Sequence, residues 1–375
     1  MNILILNWRD TKHPLAGGAE ILTHEIAKRW IRKGHIVVQL CSGFSNSKRD
    51  EIIDGVKIIR RGRWWNIHIF GIIYYFFKIK KQTDVIIDEA HWFPFFSIIY
   101  ARKKTILFVC EVANKLFFKI FPYPIALLGR LFEKIYLYVY KNSPTLAISL
   151  STKRDLIKEG FRESRIVVLP MGLTLPNNLI IYKKENKPTV IYLGRLVKQK
   201  GIEDAIVAFE IIKKRIPNAV LWVVGSGVKP YVEKIKKKIA ILRLVNSVKF
   251  FGFVDEEQKF RLLSKAHILI SSSTHEGWGL TIPEAGVVGT VSVVYNSAGF
   301  TDTVLNNKTG LICSENTPNE LAKKVISLFM DNFLYLKLRT NVLHHSKQFD
   351  WNYTAKVALS TINNVRKNIK RQSLV

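Results

Sequence analysis

Glu276 and Glu284 are two carboxylates separated by seven residues, with Gly277 and Gly279 between them and Pro283 beside the second. Proline tolerates the first turn of a helix, so the spacing places Glu276 on a loop and Glu284 at the start of the next helix. Both can then point to one side, with loop and helix N–H groups turned toward an anion. Paired glutamates are usually solvated surface residues; the glycine-rich loop weighs against that here. Gly194-Arg195-Leu196-Val197-Lys198-Gln199-Lys200-Gly201 supplies the opposite charge. It follows a short apolar run, so Arg195 and Lys200 fall at the carboxyl end of a strand, where open α/β sheets bind ligands. A guanidinium and an ammonium there can clamp a diphosphate and neutralise charge as it departs. A solvated basic loop would read the same way.

Glycine turns accompany these groups. Ala16-Gly17-Gly18-Ala19-Glu20 opens a helix, where backbone can approach a ligand and the free N–H groups can meet a phosphate. It is not G-x-G-x-x-G and lies about ten residues past the first strand, which disfavours a dinucleotide site of the NAD type. Gly225-Ser226-Gly227 and Gly252 each follow a strand and could let backbone meet a nucleotide, or could simply turn the chain.

The elements that must position these residues come in two series. Apolar runs at 3–6, 36–40, 85–87, 105–109, 146–148 and 166–169 are continuous rather than alternating, as in parallel strands covered on both faces. Helical stretches at 19–32, 126–140 and 153–159 separate several of them. The pattern stops over 171–187, which carries Pro176 and an Asn-Asn pair and reads as a linker. A second series follows, with strands at 189–193, 220–224, 248–251, 268–271 and 291–294 and helices near 202–214, 229–242, 256–264 and 281–289. After Pro318 the chain reads as mostly helical. The expected fold class is α/β: two doubly wound, Rossmann-like parallel-sheet domains facing each other across a cleft. The boundaries expected are 1–176, a linker at 177–187, and 188–351.

In this order the elements resemble the retaining GT-B glycosyltransferases of group 1 (glycosyltransferase family 4), over nearly the whole chain. The resemblance is strongest in Gly194–Gly201, the Glu276…Glu284 pair and Phe349-Asp350-Trp351; the opening Asn7-Trp8-Arg9-Asp10…Gly17-Gly18-Ala19-Glu20 is similar to a prokaryotic subgroup. It implies that Gly17 and Gly18 bring backbone near the donor's phosphates and that Arg195 and Lys200 hold the diphosphate. Glu276 would bind hydroxyls of the transferred sugar, helped by the backbone of Gly277, Trp278, Gly279 and Leu280, and Glu284 would bind the ribose. Gly225 would lie near the nucleotide, and the backbone around Phe253 and Val254 would border the base. A C-terminal helix at about 352–375 would pack back on the first domain. The implied reaction is hexosyl transfer from a nucleotide diphosphate sugar with retained configuration, no metal and no cofactor. Charge on the leaving diphosphate would be met by cationic side chains, and no carboxylate nucleophile of the glycosidase kind is required.

One position departs from the family pattern. Where the family commonly carries a donor-sugar histidine, after the strand at 105–109, this chain has Cys110 followed by Glu111. A thiol is a weak donor. Altered sugar specificity, compensation by His91 or Glu111, and weakened catalysis are the three consequences open. The last would make the protein a nucleotide-sugar-binding pseudo-enzyme or a membrane-associated partner subunit. Epimerase and phosphorylase readings of the same architecture fit the Arg195/Lys200 and Glu276/Glu284 set less well.

Composition narrows the partners. The chain has 375 residues, 48% hydrophobic, with 58 Lys+Arg against 29 Asp+Glu, a net charge of +29. This excludes a disordered chain and suits two domains, and its surface will seek anions. Zinc-finger spacing is absent and the motifs go unexplained by a nucleic-acid binder, so no nucleic-acid partner is expected. Cys41, Cys110 and Cys313 form no C-x-x-C pair, which favours a reducing compartment. Met1 leads almost directly into the run at 3–6, so no signal peptide is expected. No apolar stretch reaches the 18 or so residues of a bilayer span. Residues 1–176 hold 28 Lys+Arg and 14 Asp+Glu, half the excess. There Arg60-Arg61-Gly62-Arg63-Trp64-Trp65, the aromatic run to Phe77, and Lys115-Leu116-Phe117-Phe118-Lys119 suit a membrane interface, where rings sink in and cations meet lipid phosphates. Helices of the domain core with charged edges are the alternative. A lipid-linked or membrane acceptor, and a cytoplasmic location peripheral to the inner face of the cell membrane, are the corresponding expectations.

Overall fold

The structure is a computed structural model that describes every residue except Trp92, Lys115, His275 and 373–375. Trp92 beside His91, Lys115 of the second basic stretch and the last three residues of the expected C-terminal helix therefore lie outside it. The chain divides into two compact units: Met1–Gly172 with Asp350–Val375, and Leu173–Phe349.

The first unit is built on eight strands, β1 (Asn2–Leu6), β2 (Ile36–Cys41), β3 (Asp50–Ile53), β4 (Val56–Arg60), β5 (Val85–Ala90), β6 (Thr105–Val109), β7 (Thr145–Ala147) and β8 (Ile166–Val168). Their order is β3-β4-β2-β1-β5-β6-β7-β8, parallel except for the β3–β4 pair. The continuous apolar runs form the middle: β5 and β6 are buried at every residue. Helices α1 (Gly18–Arg32), α2 (Ile67–Tyr74), α3 (Ser97–Ala101), α4 (Leu116–Ile120), α5 (Tyr123–Tyr140) and α6 (Leu150–Lys158) connect them. From α2 the chain continues as a π-helical turn, Tyr75–Ile79. The order runs one way from β1 to β2 and β4 and the other way from β5 to β8. The switch point, where doubly wound sheets bind ligands, is thus at the carboxyl ends of β1 and β5.

The second unit repeats the scheme with six parallel strands, β9 (Thr189–Leu193), β10 (Val220–Val224), β11 (Val248–Gly252), β12 (Ile268–Ser271), β13 (Val291–Val294) and β14 (Gly310–Ile312), ordered β11-β10-β9-β12-β13-β14. Its helices are α7 (Ile202–Arg215), α8 (Lys229–Ile241), α9 (Glu256–Lys265), α10 (Thr281–Val287), α11 (Ala298–Thr303), α12 (Pro318–Met330) and α13 (Asn332–Ser346). The switch point here lies between β9 and β12. Residues 177–187 are docked on this unit rather than free: the Tyr182 N–H donates to Ser264 Oγ (2.5 Å), the Glu185 N–H to the Lys265 carbonyl (3.0 Å), and Lys184 Nζ to Ala266 O and Thr290 Oγ1.

The last helix, α14 (Trp351–Gln372), belongs to the first unit. Trp30 Nε1 on α1 donates to the Ala355 carbonyl (3.0 Å), and the Trp351 ring is packed so closely on Gly172 that any side chain there would overlap it.

Candidate active site

In the second unit, the loops that follow β9, β10 and β12 meet backbone to backbone. Gly225 has φ 135°, and a Cβ on it would overlap the Gly194 carbonyl; Gly201 has φ 71°, and a Cβ would overlap the Ser272 carbonyl. Only glycine fits either place. The Gly201 carbonyl accepts from Ser272 Oγ (2.6 Å), and the Lys200 carbonyl accepts from Tyr192 Oη (3.2 Å). The Glu276 carbonyl accepts from the Gly299 N–H (2.9 Å). With both main chains held, Lys200 Nζ donates to Glu276 Oε2 at 2.5 Å, across 76 residues of sequence. Arg195 is exposed on the same loop.

Glu284 sits in the first turn of α10, half-buried, and takes Lys259 Nζ of α9 at 2.8 Å. Burial pushes its carboxyl above the usual range, and Lys259 offsets part of that. Lys259 also donates to Glu256 (2.7 Å). Trp278 is buried with its ring edge-on to Phe349 (5.2 Å), so this residue offers a ligand backbone rather than its indole. Phe253 is 83% exposed just past β11, and Val254 packs partly into the core.

In the first unit, the loop after β1 is anchored by Asp10, which takes both Nε (2.7 Å) and Nη2 (3.0 Å) of buried Arg60. Burial alone would raise the Asp10 pKa; the guanidinium outweighs it and holds it low. Gly17 is the N-cap of α1, but its N–H is not free. It donates to Glu20 Oε2 (2.6 Å), while Glu20 Oε1 takes Arg9 Nε (2.8 Å). A buried carboxylate thus already occupies this helix end, and Gly18 follows it in the first turn.

Arg9 also reaches His91 at the switch point, with Nη2 donating to Nε2 (2.5 Å), and its guanidinium lies 4.4 Å from the Trp8 ring centre. Burial first, and then the Arg9 charge, push His91 down to about 4, so the ring is neutral and its proton rests on Nδ1. The loop after β5 is fastened by buried Asp88, which accepts from the Phe95 and Ser97 N–H groups (2.7 and 2.8 Å).

Next to it, Glu89 is fully buried. It accepts from Thr23 Oγ1 (2.7 Å) and receives the Cys110 thiol (Sγ–Oε1 3.9 Å). Burial, with Glu20 nearby, pushes Glu89 up to about 8. Cys110 therefore closes β6 as a buried thiol turned toward a carboxyl group, and burial pushes its own pKa up.

The structure brings together Lys200 with Glu276, and the Gly225 loop with the Arg195 loop. Gly17, Gly18 and Cys110 stand in the other unit. Lys259, Glu89 and the Arg9–Glu20 pair were not expected from the sequence. Lys259 carries no motif. Arg9 and Glu20 lie within the opening motif, and only their spacing around a helix start could have marked a cap.

Two switch-point sites on two doubly wound sheets, one with a cation and a carboxylate paired at its mouth, define a protein of the GT-B class. Residues 16–175 match the family model for Glycosyltransferase Family 4, and residues 180–345 match that for Glycosyl transferases group 1. The chain belongs to the group 1 glycosyltransferases. An uncharacterised glycosyltransferase of Methanocaldococcus jannaschii is 25% identical over 315 residues, covering 81% of this chain and 74% of its own length. A GDP-mannose-dependent alpha-(1-6)-phosphatidylinositol monomannoside mannosyltransferase of Mycobacterium tuberculosis is 31% identical over 157 residues, only 40% of each protein. The fold is similar to that of Anabaena HepE in complex with UDP and glucose, with a TM-score of 0.73 and 18% identity over 97% of this chain and 100% of that one.

Proposed function

We propose that this glycosyltransferase moves a hexose-type sugar from a nucleoside diphosphate sugar to a lipid or lipid-linked glycan at a membrane surface, retaining configuration and using no metal. The observation that carries the reading is the Lys200–Glu276 pair at the switch point of the second unit, with Arg195 on the same loop. When the glycosyl–phosphate bond breaks, its electrons pass to the diphosphate. Arg195 and Lys200 meet that charge, and because an ammonium has three donors, Lys200 can keep Glu276 while taking a phosphate oxygen. Glu276 then accepts hydroxyls of the sugar. Glu284, with one oxygen on Lys259, accepts from the ribose. The acceptor hydroxyl attacks on the face the diphosphate leaves, and its proton goes to the departing phosphate oxygen. The mycobacterial relative, a GDP-mannose-dependent mannosyltransferase of phosphatidylinositol monomannoside, supports the substrate classes.

The membrane reading draws on exposure. Trp64, Trp65 and Phe77 are 69%, 64% and 81% exposed in the first unit, beside Arg61, Arg63 and Lys80. These residues are surface rather than core. Among the described residues no helix is long and apolar enough to cross a membrane. The pseudo-enzyme reading keeps one observation in its favour, the buried Cys110 thiol.

A donor-hydrolysis and transfer screen over UDP-, GDP- and ADP-hexoses, with membrane lipids supplied, tests the proposal. Release of nucleotide diphosphate with a labelled glycolipid supports it; binding without turnover of any donor favours the pseudo-enzyme. Turnover should persist in EDTA. Loss on chelation, restored by Mg²⁺ or Mn²⁺, would overturn the metal-free mechanism.

A further inference from the structure

The first unit contains a cavity of about 690 Å³ lined by Trp8, Phe93, Phe117, Leu128, Phe132 and Ile135, with Trp64, His68 and His91 also on its wall. A packed interior leaves few voids larger than a water molecule, whereas this volume is that of a ligand pocket. Its wall is almost wholly apolar and aromatic, which no free sugar or nucleotide would match. Its mouth is apolar too: Trp64, Leu128 and Ile135 are 69%, 66% and 50% exposed. Exposed apolar surface of that extent marks a contact with another apolar body.

Polar groups on the same wall complete the picture. Trp8 Nε1 and His68 Nε2 are buried ring nitrogens without a hydrogen-bond partner among the described residues. Such orphans are costly unless something fills them. The Arg9 guanidinium lies 4.4 Å from the Trp8 ring and bonds to His91, both at the switch-point end of the sheet. An amphiphile fits this distribution, with its hydrocarbon in the aromatic wall and an oxygen-rich anionic head near Trp8 and Arg9.

We infer that this cavity takes the hydrocarbon chain of a phosphate-bearing lipid acceptor, whose head group it delivers to the carboxyl ends of β1 and β5. The inference rests on the lipid-acceptor part of the proposed function and names the subsite that would serve it.

Calorimetric titration of the full chain with alkyl phosphates of eight to sixteen carbons, each below its micelle concentration, tests it. Each added methylene should tighten binding about fourfold until the cavity is full. Dodecanol should bind at least tenfold more weakly than dodecyl phosphate, and inorganic phosphate should not displace it. Leu128→Trp, at an exposed lip, should weaken dodecyl phosphate at least tenfold and stop the gain at a shorter chain. Phe132→Ala should move the stop to a longer chain, a shift that simple misfolding would not produce. Affinity independent of chain length, displacement by phosphate alone, or a chain-length profile unchanged in both variants would overturn the inference. A protein that binds alkyl phosphates but hydrolyses no donor would keep the cavity assignment and sink the transferase reading. Donor turnover without alkyl phosphate binding would do the reverse.

Discussion

Lys200 and Arg195 share a loop but differ in what their loss should do. Arg195 is exposed, so Arg195→Ala leaves nothing buried and unpaired. Its expected effect is confined to the departing charge, about 2–4 kcal/mol in kcat/KM. Lys200→Ala also strips the partner from Glu276, so sugar binding should suffer along with turnover. Steady-state kinetics on both variants checks this, and wild-type turnover in both would remove the diphosphate clamp. Cys110 carries a second expectation. Because the thiol is buried and its pKa raised, a small alkylating reagent should label it slowly without denaturant. Cys110→His should alter turnover or donor choice if β6 ends at the sugar; unchanged kinetics would make the departure from the family pattern a packing matter.

Glu89 adds a pH dependence. Its folded pKa of about 8 lies above the ordinary 4.5, so the native state holds a proton that the unfolded chain has released. The penalty is absent below pH 4.5, grows as pH rises toward 8, and is constant beyond. Glu89→Gln mimics the protonated acid, so its melting temperature should gain on wild type between pH 5 and pH 8. Equal differences at both pH values would show the carboxyl ionised throughout. At this scale the sequence disclosed residue types at loop positions, such as Glu276 and Glu284. It did not disclose partners: the bonds Lys200–Glu276, Lys259–Glu284 and Cys110–Glu89 span distances that only the assembled sheets close.

Most strands of both sheets are legible because buried parallel strands are continuous apolar runs; the three-residue edge strand β14 is too short to stand out. The β3–β4 hairpin was not read, although Asp54-Gly55 between short β-branched runs is a two-residue turn signal, and both residues have positive φ. Its consequence for the site is direct, since β4 carries Arg60 and so pins Asp10. Which way a helix faces was also hidden. Glu133 on the mostly apolar α5 turns inward and accepts from the Ala113 and Asn114 N–H groups (2.7 and 2.8 Å), fixing the loop after Cys110, while Leu127, Leu128 and Leu131 face out. The segment from Trp64 through Phe77 is divided in the same way: Ile67, Gly71 and Tyr75 are buried, while Trp64, Trp65, Ile69, Ile73 and Phe77 are exposed. Wild-type protein should therefore float with anionic liposomes. Trp64→Ala/Trp65→Ala should lose most of that binding, and raised salt should weaken it as the Arg and Lys charges are screened. Wild-type protein that stays in the bottom fraction at low salt would end the membrane reading.

At the scale of the molecule, two βαβ series correctly implied two doubly wound sheets. The units part at Gly172 and Phe349, so the second unit begins about fifteen residues before the start expected at 188, because the apparent linker is tied to Ser264, Lys265, Ala266 and Thr290 by hydrogen bonds from Tyr182, Lys184 and Glu185. Deleting α14 should accordingly damage the distant N-terminal residues it covers and spare the neighbouring ones. Trp30 would lose the Ala355 carbonyl and Gly172 its Trp351 cover. In limited proteolysis of a chain ending at Asp350, residues 1–172 should be cleaved rapidly while 173–349 persist. Equal resistance of both would show that α14 is dispensable.

The same helix sets a schedule for the growing chain. A ribosome releases residues 1–172 before 173–349, yet the element that covers Trp30 and Gly172 emerges after both. The second unit is contiguous and can close as soon as Phe349 clears the exit tunnel. The earlier-born unit must wait through some 180 further codons, at roughly 5–20 residues per second, with the apolar face of α1 uncovered. During those seconds its Trp30 surface is open to chaperones, to aggregation and to proteases. Slowing translation downstream of codon 172 would lengthen that window without changing a single residue of the product.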